Sequence, residues 1–189
     1  MGLTVEKCLQ AWTNSLKQMN VKADIVFFGD SLIYYGDFAS LFPNKVVCNL
    51  GLRGDTVQGM INRVEQVLIL KPQVIFIMAG INDIVNLTIE KFEEVYTRLI
   101  NDIKFNIPAA KIIILSILPV NNSCFIISCK NEQVIECNKV VSRIAFENKI
   151  PFMDLFSLYV ENGEMPRKLT KDGIHLTAEG YKRWYQSLI

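Results

Sequence analysis

Five short apolar runs, four of them stopped by glycine or proline, govern what this chain can fold into. They are Ala23 to Phe28, Val46 to Leu50, Val74 to Met78, Lys111 to Leu118 and Pro151 to Leu155. Gly29, Gly51, Ala79-Gly80 and Pro119 close the first four. Ile25 to Phe28 is apolar without alternation, as expected of a strand covered on both faces. Helical spacing fills the intervals. Thr4 to Met19 brings Val5, Cys8, Leu9, Trp12 and Leu16 near one face, with Thr4 as cap. Thr56 to Leu70 turns Val57, Ile61, Val64 and Leu68 inward, and Lys71-Pro72 ends it. Ser31 to Leu41 is expected to be partly helical. Thr88 to Phe105, Asn131 to Asn148 and Thr177 to Leu188 read as helices. Strands that alternate with helices predict a parallel sheet with helices on both faces, an α/β, three-layer αβα sandwich. Right-handed crossovers leave few topologies. A chain of 189 residues suits one substantial core, and no repeat or linker divides it, so residues 1–189 read as a single domain.

The charge balance sets aside several functions. Twenty Lys and Arg face 19 Asp and Glu, a net charge of +1, which gives no reason to expect a nucleic-acid partner. No apolar run has the length of a membrane span. Met1 to Gln10 shows no signal peptide, and Glu6 stands where a Met1-Gly2 myristoylation signal would want Ser or Thr. The five cysteines, Cys8, Cys48, Cys124, Cys129 and Cys137, form no C-x-x-C pair, and there is one histidine, so no metal site is expected. Free thiols in a reducing, cytoplasmic setting are the default, with a Cys124–Cys129 bridge and a trimmed secreted chain left open. Oligomeric state is not legible. Asn121 to Cys129 is unusually apolar for a loop, and reads as packed core, a lid or a subunit contact.

Three loops carry chemistry-bearing residues: Gly29-Asp30-Ser31, Gly51 to Asp55, and Gly80-Ile81-Asn82-Asp83. All follow strands, so in a parallel sheet they converge at one edge, where open α/β folds place ligands. Ser31, at the expected start of a helix, suits a nucleophile; Asp30 or Ser31 as a mere helix cap is the competing reading. The Ser31 N–H, the Gly54 N–H and the Asn82 amide could together form an oxyanion hole. The only imidazole is His175, three residues after Asp172. A carboxylate on one ring nitrogen leaves the other to accept a serine proton, so Ser31, His175 and Asp172 form a candidate triad. A structural histidine is the alternative. Asp30 reads as a turn residue, Asp55 as the cap of the following helix, and Asp83 as a brace for the Asn82 loop. Arg53 reads either as a substrate contact or as plain surface.

Gly29-Asp30-Ser31-Leu32, Asn49-Leu50-Gly51-Leu52-Arg53-Gly54-Asp55-Thr56, Gly80-Ile81-Asn82-Asp83 and Asp172-Gly173-Ile174-His175-Leu176 occur in that order. Together, across about Ala23 to Ile189, they resemble the SGNH hydrolases, also called GDSL lipases and esterases. The resemblance implies a flavodoxin-like sandwich with five parallel strands and no cofactor. It implies Ser31 as nucleophile, Gly54 and Asn82 as oxyanion donors, and Asp172 and His175 as the rest of the triad. The Asn-Leu-Gly block is similar to the branch that contains acetylhydrolases and carbohydrate O-acetylesterases. The expected reaction is therefore hydrolysis of a small acyl ester, a small-molecule substrate.

Three rivals stand beside that reading. A thioesterase or lysophospholipase would use the same triad on longer acyl chains, with Phe125-Ile126-Ile127 as an acyl contact. A binding module could have kept the fold without the activity. A nucleotide or flavin binder would be expected to show G-x-G-x-x-G or G-x-x-x-x-G-K-[ST], and neither occurs.

Overall fold

The computed structural model describes residues 4–188. The Met1-Gly2 start falls outside them. Five parallel strands form one sheet: β1 (Ile25–Gly29), β2 (Val47–Gly51), β3 (Val74–Met78), β4 (Lys111–Leu115) and β5 (Phe152–Met153). Their order across the sheet is β2-β1-β3-β4-β5. This is the flavodoxin-like order, and it reverses direction between β1 and β3.

Alternate residues of each strand feed two separate cores, because successive side chains point to opposite faces. Val26, Phe28, Ile75, Ile77, Ile112 and Ile114 belong to one apolar cluster. The helices over it are α1 (Val5–Met19), α3 (Val57–Asn62), α4 (Glu65–Leu70), α5 (Ile89–Asn106) and α6 (Asn131–Glu147). Ile25, Phe27, Phe76 and Met78 point the other way, toward Phe38, Tyr159, Leu176 and Trp184. Phe27 stacks between Phe38 and Phe76, with ring centroids 3.9 and 4.6 Å away. The elements on this side are short α2 (Ser31–Tyr34), α7 (Phe156–Tyr159) and α8 (Ala178–Leu188). The result is the three-layer sandwich.

Several boundaries differ from the sequence reading. The helix expected over Thr56 to Leu70 is two helices, broken at Arg63-Val64. The break turns the inward face from Val57, Met60 and Ile61 to Gln66, Val67 and Leu70. β4 stops at Leu115, although the apolar run continues to Leu118. Beyond it, side chains replace ladder partners: the Asn138 amide bonds both backbone groups of Ile117, at 2.8 and 2.9 Å, and Asn131 does the same for Val120. β5 is only two residues long, and β1 starts at Ile25. Cys8 is exposed, so the apolar face of α1 rests on Trp12 and Leu16. All five cysteines are free thiols, with Cys129 buried and Cys124 exposed.

Candidate active site

The loops after β1, β2 and β3 meet at the point where the strand order reverses. Close approach there requires glycine. A Cβ on Gly29 would strike the Met78 carbonyl, and one on Gly51 would strike the Tyr34 backbone. Without those side chains, α2 starts directly at the end of β1 and lies against β2. Asp30 caps α2, accepting the Leu32 N–H at 2.8 Å, and Ser31 is its first residue. Ser31 is buried, 5% exposed.

The His175 Nε2 lies 2.9 Å from Ser31 Oγ, and its Nδ1 lies 2.6 Å from Asp172 Oδ2. The structure thus brings together residues that are 144 positions apart in sequence. Asp172 Oδ1 also accepts the backbone N–H groups of Ile174 and His175, at 3.1 and 2.8 Å. Desolvation pushes the Asp172 carboxyl up, but those hydrogen bonds and the ring contact outweigh it and hold it below its ordinary value. Asp172 is therefore an anion where it meets the ring.

The turn that carries this pair is itself held from several sides. Thr170 Oγ1 accepts the Gly173 N–H at 2.8 Å and donates to the His175 carbonyl at 3.0 Å. The Gly173 carbonyl accepts the Asn121 N–H at 2.9 Å. The 121–129 segment packs here. Phe125 lies under the Arg167 guanidinium, 4.7 Å from it, and Ile127 reaches Gly173. Of its three large apolar residues, only Ile126 is fully exposed.

The other expected donors converge on the same edge. Gly54 is exposed with φ +70, and its N–H has no partner among the described residues. Asn82 is half-buried, and its Nδ2 donates one hydrogen to the Asp55 carbonyl at 2.8 Å. Its second amide hydrogen stays available. Asp83 accepts the Val57 N–H at 3.1 Å, which ties the β3 loop to α3.

Asp55 does not cap α3; Thr56 does, accepting the Gly59 N–H at 3.1 Å. Instead the Asp55 carboxylate meets Arg63 Nε at 2.7 Å, with both side chains buried. Arg63 also donates to the carbonyls of Leu50 and Gly29, at 2.9 and 3.0 Å. One guanidinium therefore joins the ends of β1 and β2 to the Asp55 loop. Burial raises the Asp55 carboxyl and lowers the Arg63 guanidinium, and their contact opposes both shifts. Burial also lifts Asp30 to about 7, and the nearby Asp55 and Asp83 carboxylates add to that rise. Asp83 is raised by burial to about 6. Nothing in the linear pattern singled out Arg63, because an arginine in a helical stretch ordinarily faces water.

No group of three or more potential metal ligands gathers among the described residues. No helix there is long and apolar enough to cross a membrane. A groove of about 650 Å³ lies along α6 and β5, lined by Ile135, Phe146, Phe152 and Phe156, and includes no site residue.

The GDSL-like Lipase/Acylhydrolase family model matches residues 27–183. Among curated proteins nothing matches the chain. Solved structures do. A Streptococcus pneumonia protein named for platelet activating factor is 25% identical, with a TM-score of 0.85 over 95% of this chain and 90% of that one. A lipase/acylhydrolase from Enterococcus faecalis is 25% identical, with a TM-score of 0.68 over 87% and 92%. An acetyl xylan esterase from Geobacillus stearothermophilus is 20% identical, with a TM-score of 0.73 over 90% and 95%.

Proposed function

The chain belongs to the GDSL-like Lipase/Acylhydrolase family and is an ester hydrolase, and from that premise we propose that it cleaves small acyl esters, acetyl esters above all, through Ser31, His175 and Asp172. The observation that carries this reading is the contact of one imidazole with Ser31 Oγ on one side and Asp172 on the other. The carboxylate keeps the proton on Nδ1, which leaves Nε2 free to take the Ser31 proton. Ser31 Oγ then attacks the ester carbonyl. Negative charge gathers on the carbonyl oxygen, toward which the Ser31 N–H, the Gly54 N–H and the second Asn82 amide hydrogen serve as donors. His175 protonates the leaving alcohol. Water, activated by the same nitrogen, releases the acid from the acyl-enzyme.

Two features support a short acyl group. The Phe125-Ile126-Ile127 stretch is largely spent on packing against Arg167 and the Gly173 turn rather than forming an open acyl surface. The fold of an acetyl xylan esterase is also closely shared. The test is a series of p-nitrophenyl esters, from acetate to long chains, with the wild type and Ser31→Ala. Turnover is expected to be serine-dependent and highest on acetate. Rates that climb with chain length would replace this reading with a lipid or thioester substrate.

A further inference from the structure

Beside the serine, the rim of the site carries two cations with no ion-pair partner among the described residues. Tyr35 ends α2, and its ring stands edge-on to the His175 ring, with centroids 5.7 Å apart and planes at 87°. The Arg53 guanidinium lies 5.8 Å from the centre of that same Tyr35 ring, and so does Lys171 Nζ. Each cation adjoins the machinery in sequence: Arg53 precedes Gly54, and Lys171 precedes Asp172. Among the described residues neither forms an ion pair, although Arg63, Arg143, Arg183 and several lysines do. Asp172, the residue after Lys171, is bound to His175, and Asp55, two residues after Arg53, is bound to Arg63.

An aromatic face attracts a cation but does not neutralise it. Both charges therefore stay available to an incoming anion. We infer that Arg53 and Lys171 form an anion-recognising rim, and that the preferred substrate is an ester whose alcohol portion carries a negative charge near the scissile bond. The inference rests on the reading of Ser31 and His175 as an esterase centre. Under that reading the acyl group is too small to bear the charge, which places it on the alcohol. The Tyr35 ring, which adjoins both cations and the imidazole, then offers an apolar contact for the body of that alcohol.

The test compares two acetates of nearly equal shape, 3-acetoxybenzoate and 3-acetoxybenzamide. Exposed ion pairs are individually weak, so two of them are expected to give about a tenfold preference in kcat/KM for the anion. The preference should sit mainly in KM. It should shrink in about 1 M salt, where the screening length is about 3 Å. The double variant Arg53→Gln/Lys171→Gln should bring the ratio of the two esters close to one. A third acetate, 3-acetoxyphenyl phosphate, separates the two sources of charge: a larger preference than for the carboxylate marks a phosphorylated alcohol, a smaller one an acidic sugar or other carboxylate.

Equal kcat/KM for anion and amide in the wild type overturns the rim. So does a preference that survives in the double variant, or p-nitrophenyl acetate turnover with neither 3-acetoxy ester cleaved. Failure of the underlying esterase reading looks different: Ser31→Ala would then match the wild type on p-nitrophenyl acetate, or neither protein would cleave it.

Discussion

Arg63 Nε and Asp55 Oδ2 meet at 2.7 Å in the interior, with side chains 1% and 5% exposed, directly beneath the loops that carry Ser31 and Gly54. Three further Arg63 hydrogen bonds go to the Leu50 and Gly29 carbonyls and to Gln66 Oε1. Gln66 in turn donates to Thr13 of α1 at 3.2 Å. A buried ion pair of this kind adds little net stability over an apolar pair of the same volume, but breaking it is costly. Arg63→Met leaves Asp55 buried and unpaired, and is expected to cost about 3–5 kcal/mol. Adding Asp55→Leu should return part of that loss. Urea unfolding of the single and double variants checks this; a double variant no more stable than the single would remove the unpaired charge as the cause.

That pair also marks where reading the sequence ran out. Val74 to Met78 was legible as a strand because it is an unbroken apolar run, and the run is buried in the sheet. The Ser31 and Asp172–His175 positions were legible because each is a compact motif beside a glycine. The break in the helix at Arg63 was not, because Arg63 there turns inward to a buried partner eight residues away that the helical spacing does not reveal. Asp55 misled for the same reason, since its side chain pairs with Arg63 and leaves the cap to Thr56. The end of β4 was hidden because Ile117 and Leu118 carry the apolar run past Leu115, interrupted only by Ser116. What ends the ladder is Asn138, 21 positions away from Ile117, whose backbone it takes over. Pairings across long stretches of chain leave little trace in local pattern. The seating of Arg53 and Lys171 on Tyr35 is another of them.

Asp30 makes stability depend on pH. Its carboxyl titrates at about 7 in the fold, against an ordinary value of 3.8. Between those values the folded protein holds a proton that the unfolded chain has released. The contribution of Asp30 to stability is therefore fullest below about pH 4, falls as pH rises, and levels off above about 7. An asparagine in its place would keep a cap residue without a proton to lose. The stability of Asp30→Asn relative to wild type is expected to rise between pH 4 and 7 by a few kcal/mol, at about 1.4 kcal/mol per unit. Denaturation midpoints at pH 5 and 8 give the comparison. A difference between the two proteins that is the same at both pH values would mean Asp30 is charged throughout.

Asn82 has one role on view and one in the proposed reaction. One amide hydrogen holds the Asp55 carbonyl, and under the proposed mechanism the other is an oxyanion donor. Loss of an oxyanion donor typically costs about 10²–10³ in kcat. Asn82→Ala should show that loss with at most about 1 kcal/mol of stability, the value of one hydrogen bond. Asn82→Asp should be slower still, because it sets a negative charge against a developing one. If Asn82→Asp equals or exceeds Asn82→Ala in kcat at equal stability, the side chain acts only through the Asp55 carbonyl.

The Gly173 turn decides whether the 121–129 segment bears on catalysis. Gly173 has φ +94, where a side chain is strained whatever the space around it. The space is also filled: a Cβ there would run into Ile127 Cδ1 and lie 2.9 Å from the Asn121 carbonyl. Asp172 precedes this residue and His175 follows two positions later, so a shift in the turn moves both ends of the imidazole's hydrogen-bond relay. Misplacing a catalytic group by about 1 Å can cost 10²-fold in rate. Gly173→Ala is therefore expected to lower kcat by roughly ten- to a hundredfold, with KM nearly unchanged. Because part of the obstruction is one methyl-bearing side chain, the double variant Gly173→Ala/Ile127→Ala should recover part of kcat, while the strain from φ stays in both. Recovery without a matching gain in stability identifies the segment as a buttress that positions His175. If Gly173→Ala loses stability but keeps wild-type kcat, the packing of Ile127 serves the fold alone.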